Sequence, residues 1–272
     1  MKRWIYLCLM LIYVVICIAG SVKKTRIPVQ EPENLDVVYF DNGVGSYWHD
    51  PGDHCADLVV LFPDFTELLE NMHNSRRIEG IFKNHHIVYL EYPGVGLSAE
   101  LLASCHSIPA LTDLLHDVYL CILRFKKWKK IIFFGIDYGS IIQSKLYESC
   151  VKKRTRTPDH VIQLNGFMSV NTCNMFKIPW FLQLFCNKQE ISSHDIYKNR
   201  LKNPLIIFHS KNNLNAPFID SIQLYLKLKN QSVFVPLFGH QDRTLLSKEN
   251  LYIINQAVQR YIFNDGHVVS LS

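Results

Sequence analysis

From about Leu35 onward the chain alternates short apolar runs with amphipathic stretches. Continuous apolar runs are typical of strands covered on both faces, as in a parallel sheet. The first two runs flank the turn-forming triplet Asp41-Asn42-Gly43 and predict an antiparallel pair. Eight strands are predicted in all, at Leu35–Phe40, Gly45–Trp48, Leu58–Phe62, Ile87–Glu91, Ile131–Phe134, Val161–Leu164, Leu205–Phe208 and Ser232–Pro236. We therefore expect an α/β fold with a mostly parallel, eight-stranded sheet and flanking helices.

The stretch after Ser107 shows clear helical periodicity. Ser107 can cap a helix, and Pro109 suits its first turn. Apolar residues then recur three or four apart on one face, at Ile108, Leu111, Leu115, Val118, Ile122 and Phe125. This stripe predicts a helix that packs against the sheet.

The first 26 residues differ from the rest in charge. Trp4 to Gly20 carries no charge, and the flanking bases are Lys2, Arg3, Lys23, Lys24 and Arg26. The apolar length falls between a cleaved signal core and a membrane-spanning helix. Because Lys23, Lys24 and Arg26 follow the apolar run within six residues, we favour a retained single-pass anchor over residues 1–26, in the endoplasmic reticulum or another endomembrane. Secretion after signal cleavage is the alternative.

The 272 residues include 29 Lys and Arg against 24 Asp and Glu, a formal charge of +5. This surplus lies wholly within residues 1–26, so residues 27–272 are formally neutral, which argues against a nucleic-acid partner. With 48% hydrophobic and 19% charged residues, one large core is expected and disorder is excluded. The eight cysteines show no CxxC spacing, and no dinucleotide fingerprint is present. We expect neither a metal nor a cofactor.

Gly135-Ile136-Asp137-Tyr138-Gly139 follows the strand predicted at Ile131–Phe134. The pattern small-x-nucleophile-x-small is typical of a nucleophile elbow, here with Asp in the place usually held by Ser. The small residues permit a sharp turn from strand to helix. An ionised Asp137 at the positive end of that helix could attack an sp³ carbon and form an ester. The alternative is an ordinary turn in which Asp137 only caps the helix.

Two more motifs follow predicted strands. Pro93-Gly94-Val95-Gly96-Leu97-Ser98 forms a glycine-rich turn, and His240 lies just beyond the last strand. Ligands of open α/β sheets bind at the carboxyl ends of the strands, so His240 is a candidate general base.

Together these motifs resemble the α/β-hydrolase fold, and within it the epoxide hydrolase and haloalkane dehalogenase branch, whose elbow carries Asp. The resemblance covers about Asp36 to Phe263 in its order of elements. It implies that Asp137 is the nucleophile and His240 the base that activates the hydrolytic water. It also implies an oxyanion hole formed by the backbone N–H groups of Tyr138 and Asp64.

The chain departs from that branch at the third member of the triad. After the strand at Leu205–Phe208, Asn213 occupies the position of the expected acid. An amide cannot stabilise the imidazolium as a carboxylate does, and the corresponding change in a Ser-His-Asp enzyme lowers turnover about 10⁴-fold. Asp220 and Asp242 are conceivable substitutes without a supporting motif. In addition, Pro63 stands in the oxyanion-side turn and has no N–H to donate.

A short lid is expected at about 167–202. By the resemblance, lid tyrosines polarise the epoxide oxygen and indole groups serve in dehalogenases, so Tyr197 and Trp180 are candidate substrate contacts, together with Phe62 before the oxyanion turn. For Trp180, packing within an apolar helical stripe is the alternative.

These residues support two hypotheses. The first is a membrane-anchored hydrolase that opens a small lipophilic epoxide or ester by attack of Asp137, with release that depends on His240. The second is a catalytically reduced member of the fold that acts as a binding or regulatory module. A Ser-dependent lipase is a third, weaker idea, since Ser140 lies three residues past Asp137 and points away from the elbow apex.

Overall fold

The computed structural model describes residues 36–52, 56–63, 72–92, 98, 108–166, 192–213, 216–238 and 247–263. The chain divides into Met1–Gln30 and Glu31–Ser272, and all described residues belong to the second unit. Among them, no helix combines the length and apolar character needed to cross a membrane. The anchor predicted over 1–26 lies outside the described residues.

Eight strands form one sheet in the order β1-β2-β4-β3-β5-β6-β7-β8. The β1–β2 and β2–β4 pairs are antiparallel, and every other neighbouring pair is parallel. The strands are β1 Asp36–Tyr39, β2 Gly45–His49, β3 Asp57–Phe62, β4 His86–Leu90, β5 Lys130–Ile136, β6 His160–Leu164, β7 Leu205–Ser210 and β8 Ser232–Leu237. The predicted mostly parallel sheet is confirmed, and each predicted strand overlaps an observed one.

The described part of the chain contains six α-helices, of which the last follows β8. They are α1 Met72–Ile81, α2 Ile108–Phe125, α3 Gly139–Lys152, α4 Ser193–Tyr197, α5 Phe218–Leu228 and α6 Lys248–Val258. A 3₁₀ turn, Lys229–Gln231, follows α5, and a π-helical turn, Gln259–Phe263, follows α6. The helix predicted from the apolar stripe is α2.

The core lies in two layers, one on each face of the sheet. Because side chains alternate along a strand, Val60 of β3 packs with α2 and α3, whereas Leu61 packs with α1 and α6. Both side chains are completely buried. This double coverage is the physical reason why the strands are continuously apolar in sequence.

The amino-terminal ends of β5 and β6 are joined by one carboxylate. The backbone N–H of Ile131 donates to Oδ2 of Asp159 over 2.9 Å, while Arg156 and Lys202 each lie 3.3 Å from a carboxylate oxygen. Burial opposes ionisation of Asp159, but these donors outweigh it and hold the pKa of the carboxyl below its ordinary value. Asp159 thus stabilises the amino-terminal ends of β5 and β6, at the opposite end of these strands from the elbow.

Candidate active site

Asp137 lies at the apex of the turn between β5 and α3. Its φ of 46° is in the left-handed region, which residues other than glycine seldom adopt. The side chain is only 4% exposed. A strained acidic residue at the start of a helix and at the carboxyl end of a central strand is the arrangement expected of a nucleophile elbow.

The two glycines of the elbow are sterically required. A Cβ on Gly139 would lie 2.1 Å from the carbonyl oxygen of Phe62 and 2.5 Å from that of Pro63. A Cβ on Gly135 would lie 2.6 Å from Cα of Ser140. The close approach of the elbow to the end of β3 therefore depends on the absence of a side chain at both positions.

Ser140 holds the turn from inside. Its backbone N–H and its hydroxyl both donate to the carbonyl oxygen of Asp137, over 3.1 Å and 2.7 Å. The side chain is completely buried. This bond directs the hydroxyl back along the chain, in keeping with the expectation that Ser140 points away from the apex.

Asn213 contacts the elbow directly. Its Nδ2 donates to Oδ1 of Asp137 over 3.1 Å. At the other end of the same amide, Oδ1 accepts a hydrogen bond from the backbone N–H of Ala216 over 3.0 Å. Since a backbone N–H can only donate, this second bond fixes which end of the amide faces Asp137.

His209, at the end of β7, supports the turn that carries Asn213. Its Nε2 lies 3.0 Å from the carbonyl oxygen of Ala216 and its Nδ1 lies 2.6 Å from Oγ of Ser221. The ring is fully buried, and burial lowers the pKa of His209 to about 4. A neutral ring therefore donates from Nε2 to Ala216. Sequence reasoning missed this residue, although its place directly after a predicted strand was a signal.

Two expected substrate contacts lie in the core instead. Tyr197 is completely buried in α4, where its hydroxyl lies 2.9 Å from Oγ of Ser144 in α3, and burial raises its pKa. Phe62 is also completely buried and packs edge-on against Phe133. Neither position fits contact with a substrate, because the side chains fill the layer behind the elbow.

The structure thus brings Asp137, Tyr138 and Asn213 together at the carboxyl ends of β5 and β7. Tyr138 is the residue directly before α3 and is 8% exposed. His240, Asp64 and Trp180 are outside the described residues. So is Asp242, whereas Asp220 is buried in the first turn of α5.

A separate cavity of about 280 Å³ lies at the β1–β2 edge of the sheet, against α2. Its lining is mainly apolar and consists of Asp36, Val38, Phe40, Trp48, Asp50, Cys121, Ile122 and Phe125. None of these residues belongs to the elbow or to the turn after β7, so this cavity is not the candidate active site.

Solved structures with a similar fold are α/β-hydrolases. An acylaminoacyl peptidase from Pyrococcus horikoshii matches with a TM-score of 0.61 and 15% identity, over 87% of this chain and 44% of that chain. An esterase from Thermogutta terrifontis matches with a TM-score of 0.61 and 13% identity, over 87% of this chain and 98% of the esterase chain. An α/β serine hydrolase homologue from Coxiella burnetii matches with a TM-score of 0.57 and 12% identity, over 85% of this chain and 97% of that chain. The chain spans less than half of the Pyrococcus peptidase.

No protein-family model matches the sequence, and no curated protein does so. At these identities the similar structures define the fold alone. The strand order and these matches show that the protein has the α/β-hydrolase fold.

Proposed function

We propose that this protein is an α/β-hydrolase-fold enzyme of the epoxide hydrolase type, held at an endomembrane by residues 1–26. Asp137 attacks a small lipophilic epoxide, and His240 activates the water that hydrolyses the resulting ester. The observation that carries the proposal is that Asp137, at the elbow apex, combines a buried side chain with a left-handed backbone conformation. In the serine hydrolases of this fold, that apex holds the nucleophile.

The proposed reaction has two steps. A carboxylate oxygen of Asp137 bonds to an epoxide carbon, the ring C–O bond breaks, and the ring oxygen takes up a proton from solvent. Water then adds to Cγ of Asp137 while one of its protons passes to His240. The bond between Cγ and the ester oxygen breaks, the ester oxygen takes the proton from His240 to release a diol, and the carboxyl group returns a proton to solvent. The net reaction is epoxide plus water to diol, and it regenerates the carboxylate.

A serine mechanism is less well supported. The similar structures are named as peptidase, esterase and serine hydrolase homologue, and those activities are theirs. In this chain the apex residue is Asp137, and the serine that follows it in sequence, Ser140, directs its hydroxyl to the Asp137 carbonyl oxygen.

The basic-flanked first segment and the run Gly135–Leu146 resemble the mesoderm-specific transcript protein, a membrane-anchored member of the epoxide hydrolase branch.

The test is covalent capture. The full chain in detergent is incubated with a panel of aryl and alkyl epoxides, and the intact mass is followed with time. We expect a mass gain of one epoxide, located by peptide mapping on Asp137 and absent from Asp137→Ala. Asp159→Asn is the matched control, because it neutralises a carboxylate at the amino-terminal ends of β5 and β6, away from the elbow, and should retain the adduct. An adduct or diol formation that persists in Asp137→Ala would contradict the proposal.

A catalytically reduced binding module is the second candidate. Asn213 at the position of the triad acid favours it, because His240 would lack its usual orienting carboxylate. This candidate predicts that lipophilic epoxides raise the melting temperature of the protein without any covalent mass gain. The same incubations therefore separate the two functions.

A further inference from the structure

Building on the proposed function, we propose that Asn213 is a catalytic residue that acts as an oxyanion donor rather than as a vacant acid position. Its Nδ2 would hold Oδ1 of Asp137, the oxygen that becomes the ester carbonyl, and would stabilise the negative charge that develops there when water attacks. The observation behind this role is the 3.1 Å hydrogen bond from Asn213 to the nucleophile itself.

The bond distinguishes the two oxygens of Asp137. We assign Oδ1, which accepts from Nδ2 of Asn213, as the oxygen that becomes the ester carbonyl, and Oδ2 as the oxygen that attacks the epoxide. During ester formation Oδ1 loses charge, and during ester hydrolysis it gains a full negative charge. A donor fixed on Oδ1 therefore favours the second step selectively.

The donor is preorganised. The backbone N–H of Ala216 holds Oδ1 of Asn213, and the backbone N–H of Asn213 donates to the carbonyl oxygen of Ser210 over 3.2 Å. His209 in turn holds the carbonyl oxygen of Ala216. If the amide of Asn213 were reversed, its oxygen would face the carboxylate of Asp137 and its NH₂ group would face the N–H of Ala216. Both contacts would be repulsive, so the observed orientation is the stable one.

The same geometry explains why a carboxylate would be unfavourable here. An Asp at position 213 in this conformation would place its oxygen about where Nδ2 now lies, against Oδ1 of Asp137. Two carboxylates in contact oppose each other's ionisation, so the pKa of one of them would be raised. A proton shared between the two carboxylates would weaken Asp137 as a nucleophile. Asn213→Asp is therefore expected to slow ester formation instead of restoring a triad.

The kinetic test separates the two steps by single-turnover mass spectrometry. In Asn213→Ala we expect ester hydrolysis to slow by about 10²- to 10³-fold, as for loss of one oxyanion-hole donor, while ester formation is not slowed. The matched control is Asn203→Ala, which removes the same amide at the other end of β7. There, Nδ2 of Asn203 donates to the carbonyl oxygen of Asp159 over 3.0 Å, and neither rate should change.

An isotope test on the unmodified protein needs no variant. Each turnover releases Oδ2 in the diol and replaces it with an oxygen from water. During repeated turnover in ¹⁸O-labelled water, a carboxylate held by Asn213 should incorporate one heavy oxygen atom. A carboxylate that rotates freely should incorporate two, as we expect for Asn213→Ala.

The outcomes are distinguishable. If no epoxide forms an ester, the proposed function fails, and the role of Asn213 fails with it. If esters form and hydrolyse but the unmodified protein incorporates two heavy oxygens, Asn213 does not hold Oδ1, and the proposed function stands. Equal hydrolysis rates in the unmodified protein and Asn213→Ala, an ester that never hydrolyses in either, or faster hydrolysis in Asn213→Asp would each overturn the donor role.

Discussion

The elbow gives a sharp stability prediction at Gly139. In Gly139→Ala, the new Cβ would lie 2.1 Å from the carbonyl oxygen of Phe62. Ordinary van der Waals contact begins at about 3.4 Å, so α3 and the end of β3 must separate by roughly 1.3 Å. Because the opposing atoms are main-chain atoms, no side-chain rotation can relieve the contact.

Overpacking in a well-packed core costs about 1–3 kcal/mol. We place Gly139→Ala at the upper end, at about 3 kcal/mol, since two carbonyl oxygens rather than flexible side chains oppose the new atom. Gly80→Ala is the matched control, because Gly80 is exposed near the end of α1 and a Cβ added there would meet nothing within 4 Å. That change should increase stability by up to about 1 kcal/mol through helix propensity.

The measurement is the free energy of unfolding from urea denaturation of both variants and the unmodified protein. The expected result is a lower midpoint for Gly139→Ala and an equal or higher one for Gly80→Ala. If Gly139→Ala unfolds at the same urea concentration as the unmodified protein, the elbow does not approach the end of β3 as closely as the structure shows, and the steric reasoning is refuted.

Three further results are expected. His209 binds a proton near pH 6.5 in the unfolded chain but only near pH 4 in the folded protein, so its stabilising effect is present above pH 6.5 and is lost as the pH falls toward 4. This protonation lowers the free energy of unfolding by at most about 3 kcal/mol. Urea titrations should therefore show a free energy of unfolding that changes less with pH, between pH 6.5 and 4, in His209→Gln than in the unmodified protein. Asp159→Asn should lower the free energy of unfolding by about 1–3 kcal/mol, and with it the melting temperature, while the rate of ester formation stays unchanged. A change in that rate would contradict a purely structural role for Asp159. Tyr197→Phe should cost about 1 kcal/mol in chemical denaturation and leave substrate affinity unaltered, whereas weaker binding of epoxides would return Tyr197 to the active site.

The sheet can be predicted from sequence because its signals are local. Each strand covered on both faces appears as an apolar run, and the turns between runs contain glycine or proline. The sharp turn around Asp137 is equally visible, because Gly135 and Gly139 must be small for reasons that involve only the turn and the strand beside it.

The surroundings of the elbow depend on tertiary packing, which the sequence pattern does not contain. The sequence assigns Tyr197 to the substrate because it is the lone tyrosine of the predicted lid, yet its hydroxyl bonds to Ser144 on another helix within the core. The sequence shows that Asn213 follows the strand predicted at Leu205–Phe208. It does not predict the bond to Asp137, because that contact joins residues 76 positions apart in the sequence.

The hydrogen bond between Tyr197 and Ser144 also affects how much the length of the chain between β6 and α4 can vary. It fixes the chain just after residues 167–191, and Asn165 fixes the chain just before them, through its N–H to Phe208 and its Oδ1 to the N–H of Ser210. With both ends anchored to the sheet and α3, a doubling of the intervening length adds only about 0.6 kcal/mol of loop-closure free energy. We therefore expect variants that lengthen or shorten the sequence between residues 167 and 191 to lose little folding free energy, because the described residues on both sides keep their hydrogen bonds to the sheet and α3.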